Sequence, residues 1–268
     1  SLFAYPRSRF YSMLFLMINF ALIISQPTGQ NKIGISIKPI AVTLLLISIF
    51  GSVAAYHKVN GEIHTKNLVI AQLNRSYARM IREADRAYSW YFPLDLTATP
   101  ISWYKGMAWF YSGNIPSAIN EYEMAVRVNP NNLRLLNDLA TSYEQSGEKE
   151  KAIYYYRKAL NIIPLFAEAN INLSAAHFNI KNIDSSFYFI DKVYYSTKID
   201  EKRNYNEFLE TILYAKAQEV IMKNGDSVSV KKMMPFLADA KLLRKLYNKS
   251  KEENQQFSEY LINYSNGL

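Results

Sequence analysis

A chain of 268 residues with 49% hydrophobic and 14% aromatic content has ample material for a packed core, which excludes a disordered chain. It has no Cys, which excludes disulfides, thiolate metal sites and Cys nucleophiles. The net charge of +8 is spread from Arg7 to Lys251 with acids between, and its densest group is Lys241, Arg244, Lys245, Lys249 and Lys251, near Asp239, Glu252 and Glu253. On a predicted helix this group reads first as a solvated face, with an anionic membrane surface as the alternative partner. A nucleic-acid partner is not expected, because no interleaved aromatics on a recognisable module accompany the charge.

Residues 1–58 are expected to form two transmembrane helices joined by a short loop. Tyr11 to Ile24 is uncharged and nearly all apolar. With Phe10 and Ser25 it makes about 16 residues, roughly 24 Å of helix, short of a bilayer core of about 30 Å. Extension back through Ala4 makes up the length if Arg7 and Arg9 snorkel. A signal peptide is the rival reading, but no small-x-small cleavage site follows. Ile40 to Tyr56 is the second uncharged run, with Pro39 suited to its first turn and Tyr56, His57 and Lys58 to an interfacial end. The loop from Gln26 to Lys38 holds Lys32 and Lys38 and opposes Arg7 and Arg9, so charge alone leaves the orientation open.

Residues 59–98 read as a juxtamembrane connector helix. Leu73, Tyr77, Met80, Ile81, Ala84 and Tyr88 recur at helical steps, and Pro93 and Pro100 punctuate the exit.

Residues 99–198 carry a repeat. Gly113 and Gly147, Ala118 and Ala152, Tyr122 and Tyr156, Ala125 and Ala159, and Pro130 and Pro164 are each 34 apart, the helix–turn–helix period of tetratricopeptide repeats. The small Ala residues let paired helices approach, Gly closes the first helix at positive φ, and Pro stops the second. Leu139, Tyr143 and Tyr156 fill the seam. A third, degenerate copy follows in register: Leu173 matches Leu139, His177 matches Tyr143, and Lys181, Ser186 and Lys198 stand where Gly, Ala and Pro stood. Residues 199–268 form apolar helical stripes, one ending at Gly225 and one following Pro235, and are expected to cap the array. The predicted fold class is therefore all-α: two transmembrane helices, a connector helix and a tetratricopeptide-repeat α-solenoid with C-terminal capping helices.

A search for chemistry is negative. There is no phosphate-binding Gly-rich loop, no HExxH and no GxSxG. His57, His64 and His177 are far apart in sequence, and no cofactor or metal ligand set is expected. The repeats imply a concave binding face. By register it holds Trp103, Met107, Phe110 and Tyr111 in the first repeat, Asn137, Thr141, Glu144 and Gln145 in the second, and Ile171, Ala175 and Phe178 in the third. Core packing against the connector helix competes with ligand contact for the aromatic members. Chaperone-binding repeats grip a C-terminal carboxylate with Lys and Asn on this face. Trp103, Met107 and Asn137 stand at those places, so the basic clamp is missing.

The Ser1–Tyr5–Pro6 turn, two closing spans, a juxtamembrane helix and repeats, in that order, resemble the C-terminal end of bacterial O-antigen ligase/polymerase-like membrane proteins carrying tetratricopeptide repeats. The resemblance implies a multi-pass inner-membrane protein with periplasmic repeats. It implies a parent glycosyltransferase acting on an undecaprenyl-linked glycan, with its catalytic loop upstream of Ser1, so no catalytic residue is carried onto this chain. The opening without Met fits that reading. The expected function is an interaction module at the tail of such a protein, recruiting a protein, a peptide or a glycan acceptor. The alternative is a free-standing two-span scaffold without catalysis. A soluble-substrate enzyme is the third and weakest hypothesis, since no site is visible.

Overall fold

The structure, a computed structural model, describes residues 18–19, 37–194, 203–224, 233, 237 and 239–267. Among them the chain is helical apart from two isolated β-bridges in the loop before Ile101. Eleven helices follow in order: α1 (Ile37–Leu73), α2 (Tyr77–Ala87), α3 (Ile101–Tyr111), α4 (Ile115–Val128), α5 (Leu133–Gln145), α6 (Lys149–Ile162), α7 (Ala167–Asn179), α8 (Ile183–Val193), α9 (Arg203–Asn224), α10 (Ala240–Glu252) and α11 (Phe257–Asn266). They fall into two compact units, Ser1–Asn129 and Pro130–Leu268.

The two-span expectation is overturned: among the described residues no helix is long and apolar enough to cross a membrane. The second expected span, Ile40–Tyr56, is the first half of α1. That helix continues unbroken through Lys58, Glu62 and Lys66, and its second half buries Gly61, Leu68 and Ala71 in protein. An apolar run that is half of a longer, partly polar and protein-packed rod is not an independent span. The multi-pass inner-membrane placement with periplasmic repeats is corrected on the same finding. The first expected span, apart from Ile18 and Asn19, lies outside the described residues. So do Ser1, Tyr5, Pro6, Lys32, Lys198, Gly225 and Pro235.

One turn builds most of the fold. Five helices end with a residue at positive φ, namely Arg75 (52°), Gly113 (81°), Gly147 (86°), Lys181 (61°) and Asn254 (53°). In each case the next N–H reaches back to the carbonyl five residues earlier: Ser76 to Ala71, Asn114 to Trp109, Glu148 to Tyr143, Asn182 to His177 and Gln255 to Ser250, all at 2.8–3.0 Å. This is the Schellman closure, which satisfies an orphan carbonyl and reverses the chain. Asn114, Asn132, Asn182 and Asp239 cap a following helix by accepting from a backbone N–H at 3.0–3.1 Å.

In unit 1, α1 pairs with α2 and α3 with α4. Close approach explains two glycines: a Cβ on Gly61 would stand 2.4 Å from the Phe92 ring, and one on Gly106 would stand 2.7 Å from the Tyr122 ring. In unit 2, α5 pairs with α6 and α7 with α8. Leu139, Tyr143, Tyr156 and Leu173 are buried in their seams. Helices α9, α10 and α11 join α8 in a second core of Ile190, Leu209, Ile212, Leu243, Tyr247, Phe257 and Leu261. Asp191 anchors it, accepting from Tyr247 Oη at 2.8 Å and Lys251 Nζ at 2.6 Å.

Candidate functional site

The candidate face residues separate by unit, and the structure gives them different roles. In unit 1, Trp103 is buried and meets Tyr104 edge-on at 4.9 Å. Met107 packs with Ala71, Met80 and Ala108, and its sulfur accepts from Gln72 at 3.5 Å. Phe110 meets Tyr111 edge-on, and Tyr111 stacks on Tyr77 at 5.5 Å. Met107 and Tyr111 thereby join α3 to α1 and α2.

Unit 1 also holds an open cleft of about 460 Å³ lined by Ile81, Asp85, Lys105, Trp109, Pro116 and Glu121. Lys105 Nζ lies 2.8 Å from both Asp85 and Glu121. Burial works against its charge, but the hydrogen bonds to the two carboxylates outweigh this and hold its pKa above the ordinary value. Two acids clamped on one amine leave neither an acid/base pair nor a free nucleophile. Elsewhere in unit 1, His64 Nδ1 meets Glu83 at 2.7 Å, and this hydrogen bond holds the Glu83 carboxyl below the usual range despite burial. Among the described residues, no three His, Cys, Asp or Glu are grouped to hold a metal ion.

Unit 2 places its candidates in a connected polar row. Asn172 Nδ2 donates to Asn137 Oδ1 at 3.0 Å. Thr141 Oγ1 donates to the Asn137 carbonyl and lies 3.0 Å from Tyr156 Oη. Tyr156 Oη donates to Glu144 Oε2 at 3.1 Å, and Asn179 Nδ2 donates to Glu144 Oε1 at 3.5 Å. Burial pushes the Tyr156 hydroxyl far above the ordinary phenol range; Thr141 opposes this and the charge of Glu144 adds to it. Gln145 is exposed at the end of α5. Ile171 and Phe178 instead pack against the C-terminal core, and Phe178 meets Phe208 edge-on at 6.2 Å.

The row therefore joins Asn137, Thr141 and Glu144 to three residues that the face prediction left out: Asn172, Asn179 and Tyr156. Asn172 and Asn179 lie 35 residues after Asn137 and Glu144, one step beyond the sequence period. A search at the period plus one would have found both.

The model of the tetratricopeptide repeat matches residues 133–166, which are α5, α6 and the loop after them. Residues 133–166 form a tetratricopeptide repeat. A peroxisomal targeting signal receptor of Saccharomyces cerevisiae is 35% identical over 75 residues, and its counterpart in Candida glabrata is 32% identical over 75. That match covers 28% of this chain and 12% and 13% of those receptors, so the chain spans about an eighth of the length of the curated relatives it matches. Among solved structures, that of MamA protein is 14% identical with a TM-score of 0.49, covering 72% of this chain and 94% of that one. The first tetratricopeptide domain of Spaghetti (RPAP3) bound to an HSP90 peptide is 20% identical with a TM-score of 0.41, covering 44% and 94%. The repeat rests on the match at residues 133–166.

Proposed function

We propose that the repeats of unit 2 are a protein-interaction module that binds an extended peptide along the polar row of α5 and α7. The observation that carries this reading is the amide pair Asn137–Asn172 in line with Thr141, Glu144 and Asn179. Each side-chain amide has two donors and a two-lone-pair acceptor, so one mutual hydrogen bond leaves capacity on both residues. An extended backbone offers alternating N–H and C=O groups that such amides match. The row runs from Asn137 to Glu144, seven residues and about 10 Å of helix, the reach of about three extended residues. The matched segment of receptors named for a peroxisomal targeting signal supports a recognition role of this kind.

A random peptide library displayed on phage and panned on the full chain tests this. Sequence families should enrich, and Asn137→Ala combined with Asn172→Ala should abolish them while the fold persists by circular dichroism. No enrichment, or enrichment that ignores the double variant, would sink the reading. The finer expectation places the module at the tail of an O-antigen ligase/polymerase-like protein. It is supported by the Ser1, Tyr5 and Pro6 residues of the sequence, and it admits either a protein or a glycan acceptor as the partner. A glycan array probed with the same chain separates the two.

A further inference from the structure

Glu144 stands at the C-terminal end of the polar row, half-buried on α5. Both of its oxygens accept from neutral donors, Tyr156 Oη and Asn179 Nδ2. Among the described residues, no Lys, Arg or His forms an ion pair with it. The contrast with unit 1 is direct: there Asp85 and Glu121 share the amine of Lys105. Neutral hydrogen bonds hold a carboxylate in place without supplying a counterion. The basic residue of α5, Arg134, is ten positions before Glu144, roughly 15 Å along the helix. The row thus has a negative end that no ion pair reaches among the described residues.

We propose that the peptide bound along this row carries a Lys or Arg side chain facing Glu144, with the Glu144 carboxylate as its counterion. This rests on the peptide reading above and adds the charge class of the ligand. A positioned carboxylate gains more from a docking cation than a mobile surface acid does, since its side-chain entropy is already spent and its geometry is set. The specificity is the reverse of a carboxylate clamp: an acidic residue placed at this point of the row meets like charge.

Panning the displayed random peptide library on the full chain and on Glu144→Gln provides the test. Peptides enriched on the unmodified chain should share a Lys or Arg at one fixed position. Synthetic copies of those peptides should bind Glu144→Gln about tenfold more weakly, and added salt should narrow that difference. Glu144→Lys should select acidic residues at the same position. Enriched peptides without a fixed basic position, or equal binding to Glu144→Gln, would overturn the charge assignment and leave the peptide reading standing. If no peptide enriches on any of the three proteins, the peptide reading and the charge assignment fall together.

Discussion

The second and third repeats, the helix pairs α5–α6 and α7–α8 of unit 2, solve one packing problem with different residues. In α5–α6 the close approach is made by alanines: Ala140 and Ala152 are fully buried, and Tyr143 stacks on Tyr155 at 5.6 Å. In α7–α8 the equivalent positions are Ser174 and Ser186, also fully buried, and His177 stacks on Phe189 at 5.5 Å. Ser174 Oγ donates to the Ser186 carbonyl at 2.7 Å and lies 3.1 Å from Ser186 Oγ. Two substitutions that would each bury an unpaired hydroxyl thus satisfy each other. The turn changes as well, since Gly147 at φ 86° is matched by Lys181 at φ 61°. A side chain there pays the left-handed penalty that Gly avoids. A repeat can therefore lose its signature residues and keep its shape, provided the losses are paired or are carried by neighbouring packing.

The core should be the hardest part of that equivalence to break. Leu139→Ala and Leu173→Ala remove the same fully buried side chain from the two seams and are each expected to cost about 2–5 kcal/mol. Urea denaturation followed by circular dichroism measures both. A loss at Leu173 much below that at Leu139 would mean the third repeat is packed more loosely than its geometry indicates.

The serine pair sharpens the comparison. Ser174→Ala strands Ser186 in an apolar seam and should cost about 1–3 kcal/mol. The double variant Ser174→Ala with Ser186→Ala restores the Ala pattern of the second repeat and should recover most of that loss. Additive losses in the double-mutant cycle would show that the two hydroxyls act independently.

Smaller effects are expected at the turn. Lys181→Gly should stabilise by about 1 kcal/mol, and Gly147→Ala should destabilise by about as much. Equal and negligible shifts in both would mean that the left-handed residue carries no strain in either turn.

The smallest effect is a pH slope. His177 is buried with neither ring nitrogen hydrogen-bonded. Burial lowers its pKa, and the positive charge of Arg157 lowers it further. The unfolded state therefore takes up a proton, near a pKa of about 6.5, that the folded state refuses. Stability is unaffected at higher pH, falls as pH drops through that value, and levels off below the folded pKa. Melting curves across this range should show the fall, and His177→Phe should remove it.

These differences show which residues could be read in advance. The 34-residue spacing, the Gly113 and Gly147 turns and the Ala and Tyr positions were legible because each acts locally, through a backbone conformation or a contact inside one helix pair. The candidate face was legible only in part. Asn137, Thr141 and Glu144 sit in the polar row, but counting by the exact period set Ile171 and Phe178 opposite them. The residues that meet Asn137 and Glu144 are Asn172 and Asn179. Ile171 and Phe178 turn toward α9, and Phe208 has no periodic relation to either. The apolar run from Ile40 to Tyr56 misled for a similar reason, since composition could not show that its helix continues through Lys58 and Glu62 into a packed pair with α2.

Sequence alone determined the all-α class, the helix–turn–helix period and the turns that close it, because propensity, caps and left-handed residues act over a few positions. Tertiary structure decided the rest. It set Ser174 against Ser186, gave Tyr156 to the polar row, bound Tyr111 to Tyr77 and set Glu144 between Tyr156 and Asn179, because each outcome depends on which helix faces which.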